Sequence, residues 1–217
     1  MNIVLLGLPG AGKGTQAKYL SKEFDFFHLS TGDLFRKAIK EENTLGQKAK
    51  KYIAAGNLVP DEITIALLEK QIEAVDKRGI FFDGFPRTEN QALALADMLE
   101  VRDKQVDLCI YIEVEVAELV KRISGRRICR DCGAIYHCEY TPPNRENVCD
   151  KCGGTLYQRT DDNEIVVKNR IKKNQLQMRC LLAYYEKKGV LRTVTGTGKL
   201  PEDVMEETRP IVKEYLS

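Results

Sequence analysis

The chain has 217 residues, of which 43% are hydrophobic and 30% are charged, proportions typical of a globular protein rather than a disordered one. A net charge of +2 gives no electrostatic indication of a nucleic-acid or membrane partner, and a mean hydropathy of −0.35 without a long apolar run argues against a membrane-spanning helix. The short apolar run at residues 3–6 has no basic segment before it and is too short for a signal peptide, so we expect a cytoplasmic location.

Short apolar runs alternate with longer helical patterns along the chain, which is typical of a parallel sheet with helices on both faces. The predicted strands cover residues 3–6, 26–29, 79–82, 108–113 and 190–194. The predicted helices cover residues 13–23, 33–42, 45–55, 61–76, 115–124, 162–188 and 202–216, and a further helix opens at Thr88. The pattern therefore predicts an α/β fold.

Some of the helix ends carry specific expectations. Gly56 directly follows a predicted helix and suits its C-terminal end, where a left-handed residue is common. Asp61, after Pro60, is expected to cap the N-terminus of the next helix. Pro210 lies inside the last helix and is expected to kink or restart it, because proline lacks a backbone donor.

A glycine-rich segment, GLPGAGKGT at residues 7–15, joins the first predicted strand to the first predicted helix. Glycines let successive backbone N–H groups point at phosphate oxygens, and the helix N-terminus adds partial positive charge. Lys13 supplies a mobile ammonium for the terminal phosphates. The alternative, a plain strand–helix turn, accounts less well for the lysine, so the segment predicts a phosphate site.

The segment departs from the general phosphate-loop motif at one position. The residue after the lysine is Gly14, and the hydroxyl comes one residue later, at Thr15, so a direct threonine–Mg²⁺ bond is not expected. Asp83 ends a predicted strand and is our candidate for orienting magnesium, through a water molecule. The alternative is that Asp83 serves only as the first residue of an Asp-Gly turn.

Residues 125–158 lose the long periodicities and are rich in Cys, Gly, Pro, Tyr and Asn, which indicates an insertion. Two C-x-x-C pairs in it have the spacing of a four-thiolate zinc site, and a glycine follows each pair. The predicted ligands are Cys129, Cys132, Cys149 and Cys152. Four protein ligands leave no open position, so this zinc is expected to be structural rather than catalytic. The alternatives are redox-active pairs or cysteines without a ligand.

The other cysteines and the histidines fit neither pair. His137 and Cys138 lie between the pairs as spare potential ligands with unsuitable spacing. Cys109, Cys180 and His28 are most simply interpreted as core or surface residues.

Arginines are the expected partners of a transferred phosphoryl group, because such a reaction depends on charge compensation and alignment. The candidates are Arg36, Arg87, Arg122, Arg126, Arg159 and Arg170. Arg126 and Arg159 flank the insertion, so a hinged motion of the insertion would carry both onto the phosphates. Any one of these arginines, taken alone, is more simply a solvated helix residue.

Several motifs occur in a fixed order along essentially the whole chain. They are GLPGAGKGT, STGDLFR at 30–36, GNLVPDEIT at 56–64, DGFPRT at 83–88 with Gln91, and GRRIC…C…C…CGG…YQRTDD. Together they closely resemble the adenylate kinase family, in its long bacterial form with a zinc lid, and DGFPRT and the lid are the most specific. The resemblance implies a P-loop nucleoside monophosphate kinase fold, with a parallel sheet core, helices on both faces, and AMP-binding and lid insertions.

The resemblance also implies a division of the chain and an activity. A core would comprise residues 1–30, 60–125 and 159–217, an AMP-binding domain residues 31–59, and a zinc-containing lid residues 126–158. The enzyme would transfer a phosphoryl group in line from Mg-ATP to AMP, giving two ADP and maintaining adenine nucleotide balance. It is expected to be a monomer with no nucleic-acid or membrane partner.

Site residues follow from the same resemblance. The implied ATP-binding residues are Gly10, Ala11, Gly12, Lys13, Gly14, Thr15, Arg126, Ile135, Tyr136 and Gly198. The implied AMP-binding residues are Thr31, Arg36, Asn57, Leu58, Val59, Gly84, Phe85, Pro86, Arg87, Gln91, Arg159 and Arg170. The implied catalytic residues are Lys13, Arg87, Arg122, Arg159 and Arg170.

Gln91 has a second, structural interpretation. Thr88-x-x-Gln91 is a capping box, in which the Gln91 side chain would bond the backbone at the helix N-terminus. The side chain cannot both cap the helix and read adenine at full strength. We favour adenine recognition, because Thr88 remains as a cap without it.

Two other functions compete with this interpretation. A kinase for UMP or CMP is the nearest, and the zinc lid argues against it, because the resemblance places such lids mainly in adenylate kinases. A GTP-binding switch or a zinc-ribbon nucleic-acid module is the second. The guanine-reading N-K-x-D motif is absent from the sequence, and the small net charge is poor for nucleic acid.

Overall fold

A five-stranded parallel sheet lies at the centre of the molecule, with the strand order β2-β3-β1-β4-β8. The computed structural model describes residues 1–216. The strands of the sheet are β1 (Asn2–Leu6), β2 (Phe27–Ser30), β3 (Ile80–Asp83), β4 (Leu108–Glu113) and β8 (Leu191–Thr195). The predicted strands are confirmed, each within one residue at either end.

Helices pack on both faces of the sheet. They are α1 (Lys13–Phe24), α2 (Thr31–Lys40), α3 (Thr44–Ala54), α4 (Asp61–Glu73), α5 (Glu89–Glu100), α6 (Val116–Ser124), α7 (Glu164–Lys187) and α8 (Pro201–Glu214). Successive β1 side chains enter opposite cores: Ile3 packs with α1, α6 and α8, and Val4 packs with α4, α5 and α7. The alternation follows from the two-residue period of a strand, and burial on both faces is typical of parallel sheets. Within residues 1–216, no helix combines the length and the apolar character needed to cross a membrane.

Of the three specific expectations about helix ends and interruptions, the one at Gly56 is confirmed. Gly56 is left-handed directly after α3, with φ of +67°. Asp61 does not cap α4, because Pro60 occupies the N-cap and the Asp61 carboxylate bonds Thr88 and Gln91 instead. Helix α8 continues through Pro210, so the restart that was one of the two expectations there does not occur.

Two smaller units lie outside the sheet. Helices α2 and α3 enclose their own apolar cluster around Phe35, Ala49 and Val59. In the predicted insertion, β5 (Arg126–Cys129), β6 (Ile135–His137) and β7 (Leu156–Tyr157) form an antiparallel sheet in the order β6-β5-β7. The parallel strands of the main sheet end at one edge, so the segments after β1, β3, β4 and β8 meet there.

Candidate active site

The glycine-rich segment forms a tight loop between β1 and α1. Gly10 has φ of +90°, and a Cβ atom on it would lie 2.8 Å from the Ile123 side chain and 3.0 Å from the Leu119 carbonyl oxygen. Gly12 is the N-cap of α1 and is left-handed, so no side chain caps this helix. The loop can therefore offer backbone N–H groups and a helix N-terminus to an anion.

The Lys13 side chain folds back onto this loop. Its Nζ donates to the carbonyl oxygens of Gly7 at 2.8 Å and Leu8 at 3.1 Å. Burial lowers the pKa of Lys13 to about 8, with the positive charges of Arg87 and neighbouring arginines adding to the effect and Asp83 opposing it. A buried ammonium that bonds only neutral carbonyls is well placed to take an anionic partner.

Asp83 lies beside the loop, because β3 pairs with β1 in the register that places Asp83 opposite Leu5. A Cβ atom on Gly14 would lie 3.1 Å from Asp83 Oδ2, so glycine there keeps the carboxylate close to the start of α1. Burial alone would raise the pKa of Asp83, but the hydrogen bond from His28 and the charge of Lys13 lower it below its usual value. His28 Nε2 lies 3.3 Å from Asp83 Oδ2, so this histidine belongs to the site, which the sequence interpretation missed.

The DGFPRT segment is fixed by bonds to its neighbours. Thr31 Oγ1 and Arg87 Nε both donate to the Gly84 carbonyl oxygen at 2.8 Å. Burial, followed by the charge of Arg170, lowers the pKa of Arg87 to about 10.

Gln91 is almost fully buried, and both ends of its amide are engaged. Its Oε1 accepts from the Arg87 backbone N–H at 2.8 Å, and its Nε2 donates to Asp61 Oδ1 at 2.7 Å. Thr88 Oγ1 accepts from the Gln91 backbone N–H at 3.2 Å, which is half of the predicted capping box. The other half is replaced, because Gln91 receives the N–H of Arg87 rather than that of Thr88.

Two consecutive carboxylates hold the arginines at the base of the insertion. Asp162 binds Arg126 through two bonds, Nε–Oδ2 at 2.9 Å and Nη2–Oδ1 at 2.5 Å. Asp161 Oδ2 accepts from Arg170 Nη1 at 2.9 Å. The Nε of Arg159 is buried and has no hydrogen-bond partner within residues 1–216.

Burial and, after it, mutual repulsion lower the pKa values of the arginines in this group. Burial, followed by the charges of Arg36 and Arg126, lowers the pKa of Arg159 to about 10. Burial likewise lowers the pKa of Arg170, and Arg126 and Arg36 add to the effect. Cations that depress one another's pKa favour an anion carrying several charges between them.

A single cleft of about 1020 Å³ joins these groups. The predicted residues that line it are Gly10, Ala11, Gly12, Lys13, Gly14, Thr15, Arg36, Asp83, Gly84, Pro86, Arg87, Arg122, Arg126, Ile135, Tyr136, Arg159, Arg170 and Gly198. The predicted residues that do not line it are Thr31, Asn57, Leu58, Val59, Phe85 and Gln91. Val59 and Phe85 are buried in apolar clusters, and Asn57 bonds Lys173.

The four predicted zinc ligands come together at the cleft, whose lining includes Cys129 and Cys132. Their sulfur atoms all lie within 4.8 Å of one another, with Cys129 and Cys152 at 3.4 Å and Cys132 and Cys149 at 3.6 Å. A tetrahedral zinc with Zn–S bonds of 2.3 Å separates its sulfurs by about 3.8 Å, so the arrangement fits the ion. His137 is not part of the group, because its ring nitrogens bond Lys121 and the backbone of Glu139 and Tyr140.

Comparison with known proteins agrees with this geometry. Residues 5–190 match the family described as adenylate kinase. The chain is 48% identical over 213 residues to an adenylate kinase of Staphylococcus aureus, covering 98% of this chain and 97% of the relative. A relative of the same name from Staphylococcus epidermidis is 47% identical over the same coverage. The chain belongs to the adenylate kinase family. Its activity is the reversible transfer of a phosphoryl group from ATP to AMP.

Arg122 lies at a different place in the cleft from the other arginines. Its Nη2 donates to the carbonyl oxygens of Gly196 at 2.8 Å and Lys199 at 3.0 Å. It thus lies beside Gly198, predicted to frame ATP, and apart from the Asp161 and Asp162 carboxylates.

Sequence reasoning missed the acidic partners of the site. Asp161 and Asp162 stand in the YQRTDD motif, and their position two and three residues after Arg159 was a usable signal. Asp61 gave no such signal, because its partner Gln91 lies 30 residues away along the chain. Glu118 lies four residues before Arg122, a spacing that indicates an ion pair on a helix, but its contact with Gly198, 80 residues away, had no sequence signal.

Proposed function

We propose that the cleft carries out direct in-line transfer between ATP bound at the phosphate loop and AMP bound toward α2 and the DGFPRT segment. The convergence of Lys13 and five arginines of the cleft on one polyanion-sized space is the observation that carries the proposal. The five are Arg36, Arg87, Arg126, Arg159 and Arg170.

Each group has a role that its position supports. Lys13 would leave the loop carbonyls and follow the transferred phosphate, since an ammonium prefers an anion to a neutral acceptor. Arg87, with Arg36, would hold the AMP phosphate, and Arg159 and Arg170 would compensate the charge that develops between the substrates. No side chain is required as a nucleophile, so no covalent enzyme intermediate is proposed.

Magnesium would enter with ATP and neutralise charge on its phosphates. Asp83 would hold the ion through water, because its carboxylate is ionised and adjoins the start of α1. Thr15 is not needed as a ligand in this arrangement.

The insertion is proposed to be a zinc-stapled lid over residues 126–158. Lids of adenylate kinases close over their substrates, which is a known property of the family rather than an observation on this chain. Closure would move Arg126 and Arg159 with the lid and exclude water, the competing acceptor of the phosphoryl group. The remaining division, a core at 1–30, 60–125 and 159–217 and an AMP domain at 31–59, is proposed with it, as is action as a cytoplasmic monomer.

A panel of monophosphates tests the acceptor. Purified enzyme is incubated with Mg-ATP and AMP, UMP, CMP or GMP, and the products are separated by chromatography. We expect ADP as the sole product from AMP and at least about 100-fold slower reaction with the others, since a site built to hydrogen-bond one base rejects analogues strongly. Comparable rates with UMP or CMP would replace this proposal with a pyrimidine nucleotide kinase.

A further inference from the structure

The first turn of α6 forms hydrogen bonds with residues 196–199, the loop that joins β8 to α8. The backbone N–H of Glu115, the N-cap of α6, donates to Thr197 Oγ1 at 3.0 Å. The backbone N–H of Gly198 donates to Glu118 Oε2 at 2.9 Å. The loop is therefore held by one backbone group and one carboxylate of the same helical turn.

The second oxygen of that carboxylate is also engaged. Glu118 Oε1 forms an ion pair with Arg122 Nη2, one helical turn later, and the Arg122 guanidinium donates to two carbonyl oxygens of the loop. The two side chains are only 19% and 18% exposed, so their interaction is partly shielded from water. Glu118 thus contacts the loop directly and also orients the arginine that holds the loop from its carbonyl side.

The loop itself is a turn with a demanding backbone. Lys199 N–H donates to the Gly196 carbonyl oxygen at 3.3 Å, and Gly198 between them has φ of +70°. The carbonyl oxygens of Gly196 and Lys199 both accept from Arg122. These bonds restrict the conformation of the turn and so the direction in which its other backbone groups face the cleft. Gly198, Lys199, Glu118 and Arg122 all line that cleft.

We infer that Glu118 is a positioning residue for the nucleoside end of the ATP site, which it shapes through the backbone of residues 196–199 and through Arg122. The inference rests on the proposed function, in which Gly198 frames ATP. Adenine and guanine differ at one edge by a donor amino group against an acceptor carbonyl. A fixed turn can discriminate between them, and a turn freed from Glu118 loses part of that discrimination because its backbone groups reorient.

The test compares Glu118→Ala and Glu118→Gln with the parent enzyme in steady-state kinetics. Glu118→Ala should raise KM for ATP about tenfold, the scale of one lost hydrogen bond to a charged group, and leave KM for AMP within about twofold. Glu118→Gln keeps an acceptor for the Gly198 N–H and should raise KM for ATP about threefold. The preference for ATP over GTP in kcat/KM should fall about fivefold in Glu118→Ala.

Two further variants make the result decisive. Glu207→Gln is the matched control, because within residues 1–216 Glu207 pairs only with the Lys199 side chain and has no contact with Glu118 or Arg122, and KM for ATP should stay within about twofold. Gly198→Val strains the turn directly and should raise KM for ATP whether or not Glu118 matters.

The outcomes separate the two claims. If Gly198→Val raises KM for ATP while both Glu118 variants keep the parent KM, the inference about Glu118 is wrong and the proposed location of the ATP site is retained. If Gly198→Val also leaves ATP unaffected, the placement of ATP fails as well. An equal rise in KM for ATP and AMP in Glu118→Gln would show a general structural role and overturn the inference.

Discussion

At the scale of single residues, two positive groups of the site already bond protein oxygen atoms in the absence of a phosphate. Lys13 bonds two carbonyls, and Arg126 bonds a buried carboxylate. The sequence predicted which cations would gather, because all of them except Arg122 and Arg170 lie in the quoted motifs. It did not predict His28 as the partner of Asp83, because that contact depends on which strands become neighbours.

Lys13 should make ATP binding pH-dependent. Its pKa of about 8 in the free enzyme lies below its ordinary value, and a bound phosphate favours the charged form, so the pKa rises on binding. Affinity for ATP should therefore fall as the pH rises through 8, and binding at pH 8.5 should take up about three quarters of a proton. Calorimetry in two buffers of different ionisation enthalpy measures this uptake.

The matched variants are Lys13→Arg and Lys13→Met. Arginine keeps the charge and does not titrate, so the uptake should vanish. Methionine should lower turnover by at least about 100-fold. If Lys13→Arg takes up as much proton on ATP binding as the parent enzyme, the proton belongs to a group other than Lys13.

Arg87 and Arg159 should differ in what their replacement by lysine affects. Arg87→Lys should weaken the binding of AMP more than that of ATP, because a lysine ammonium cannot replace the two parallel hydrogen bonds of a guanidinium to phosphate. Arg159→Lys should mainly lower kcat, since its contact would be completed only on lid closure. Separate titrations of the two substrates and the kcat of each variant measure this.

Arg102→Lys is the control for both, because Arg102 bonds Met98 and Glu73 away from the cleft and should leave both substrates unaffected. A defect confined to ATP affinity in Arg87→Lys would contradict the assignment of Arg87 to AMP.

At the scale of elements, local patterns predicted the strands and most helices, but two local end signals, at Asp61 and Pro210, were overridden by tertiary contacts. Helix α2 begins at Thr31, two residues before the predicted start, because Ser30 caps it by accepting from Asp33 N–H. Asp61 does not cap α4, because its carboxylate accepts hydrogen bonds from Thr88 and Gln91, which are distant along the chain. Helix α8 remains helical beyond Pro210, where Val212 still packs in the core.

Helices α2 and α3 should depend on Gly46. A Cβ atom there would lie 2.1 Å from the Ala38 carbonyl oxygen, so the two helices could not keep their present separation. Gly46→Ala should cost about 1–3 kcal/mol locally, the range for overpacking. Faster hydrogen exchange confined to α2 and α3, with weaker AMP binding, is the expected result.

Lys48→Ala is the matched control, because this residue of α3 is exposed and its replacement should stay within about 0.5 kcal/mol. If the amides of α2 and α3 exchange hydrogen equally slowly in Gly46→Ala and in the parent, the contact between the two helices tolerates the methyl group.

At the scale of the whole molecule, the alternation of strands and helices predicted the class of fold but not the order of its strands. Several strand orders satisfy the same alternation, and only the packed sheet places β1 between β3 and β4. The insertion was predicted from composition, yet its antiparallel sheet was not, because its strands have at most four residues.

Zinc should stabilise the lid without taking part in the reaction. The buried cluster of the lid comprises only Cys129, Tyr136, Cys149 and Leu156, so apolar burial there is small. Elemental analysis should give one zinc per chain, and replacing Cys129 and Cys132 by Ser should lower Tm by about 5 °C or more, with turnover largely retained at low temperature.

Cys180→Ser is the control, because Cys180 is exposed on α7 and should change neither zinc content nor Tm. Unchanged stability in the double variant, or complete loss of turnover in a demonstrably folded protein, would overturn the structural role.

The strand order also sets an order of events on the ribosome. Strand β1 emerges first but occupies the middle of the sheet, so it must wait for β3 and β4, which end at Asp83 and Glu113. The lid is synthesised before β8, which closes the sheet at its edge. The four candidate metal-binding thiols are therefore complete, at Cys152, before β8 is synthesised. The proposed zinc would then allow the lid to fold during translation, before β8 completes the sheet.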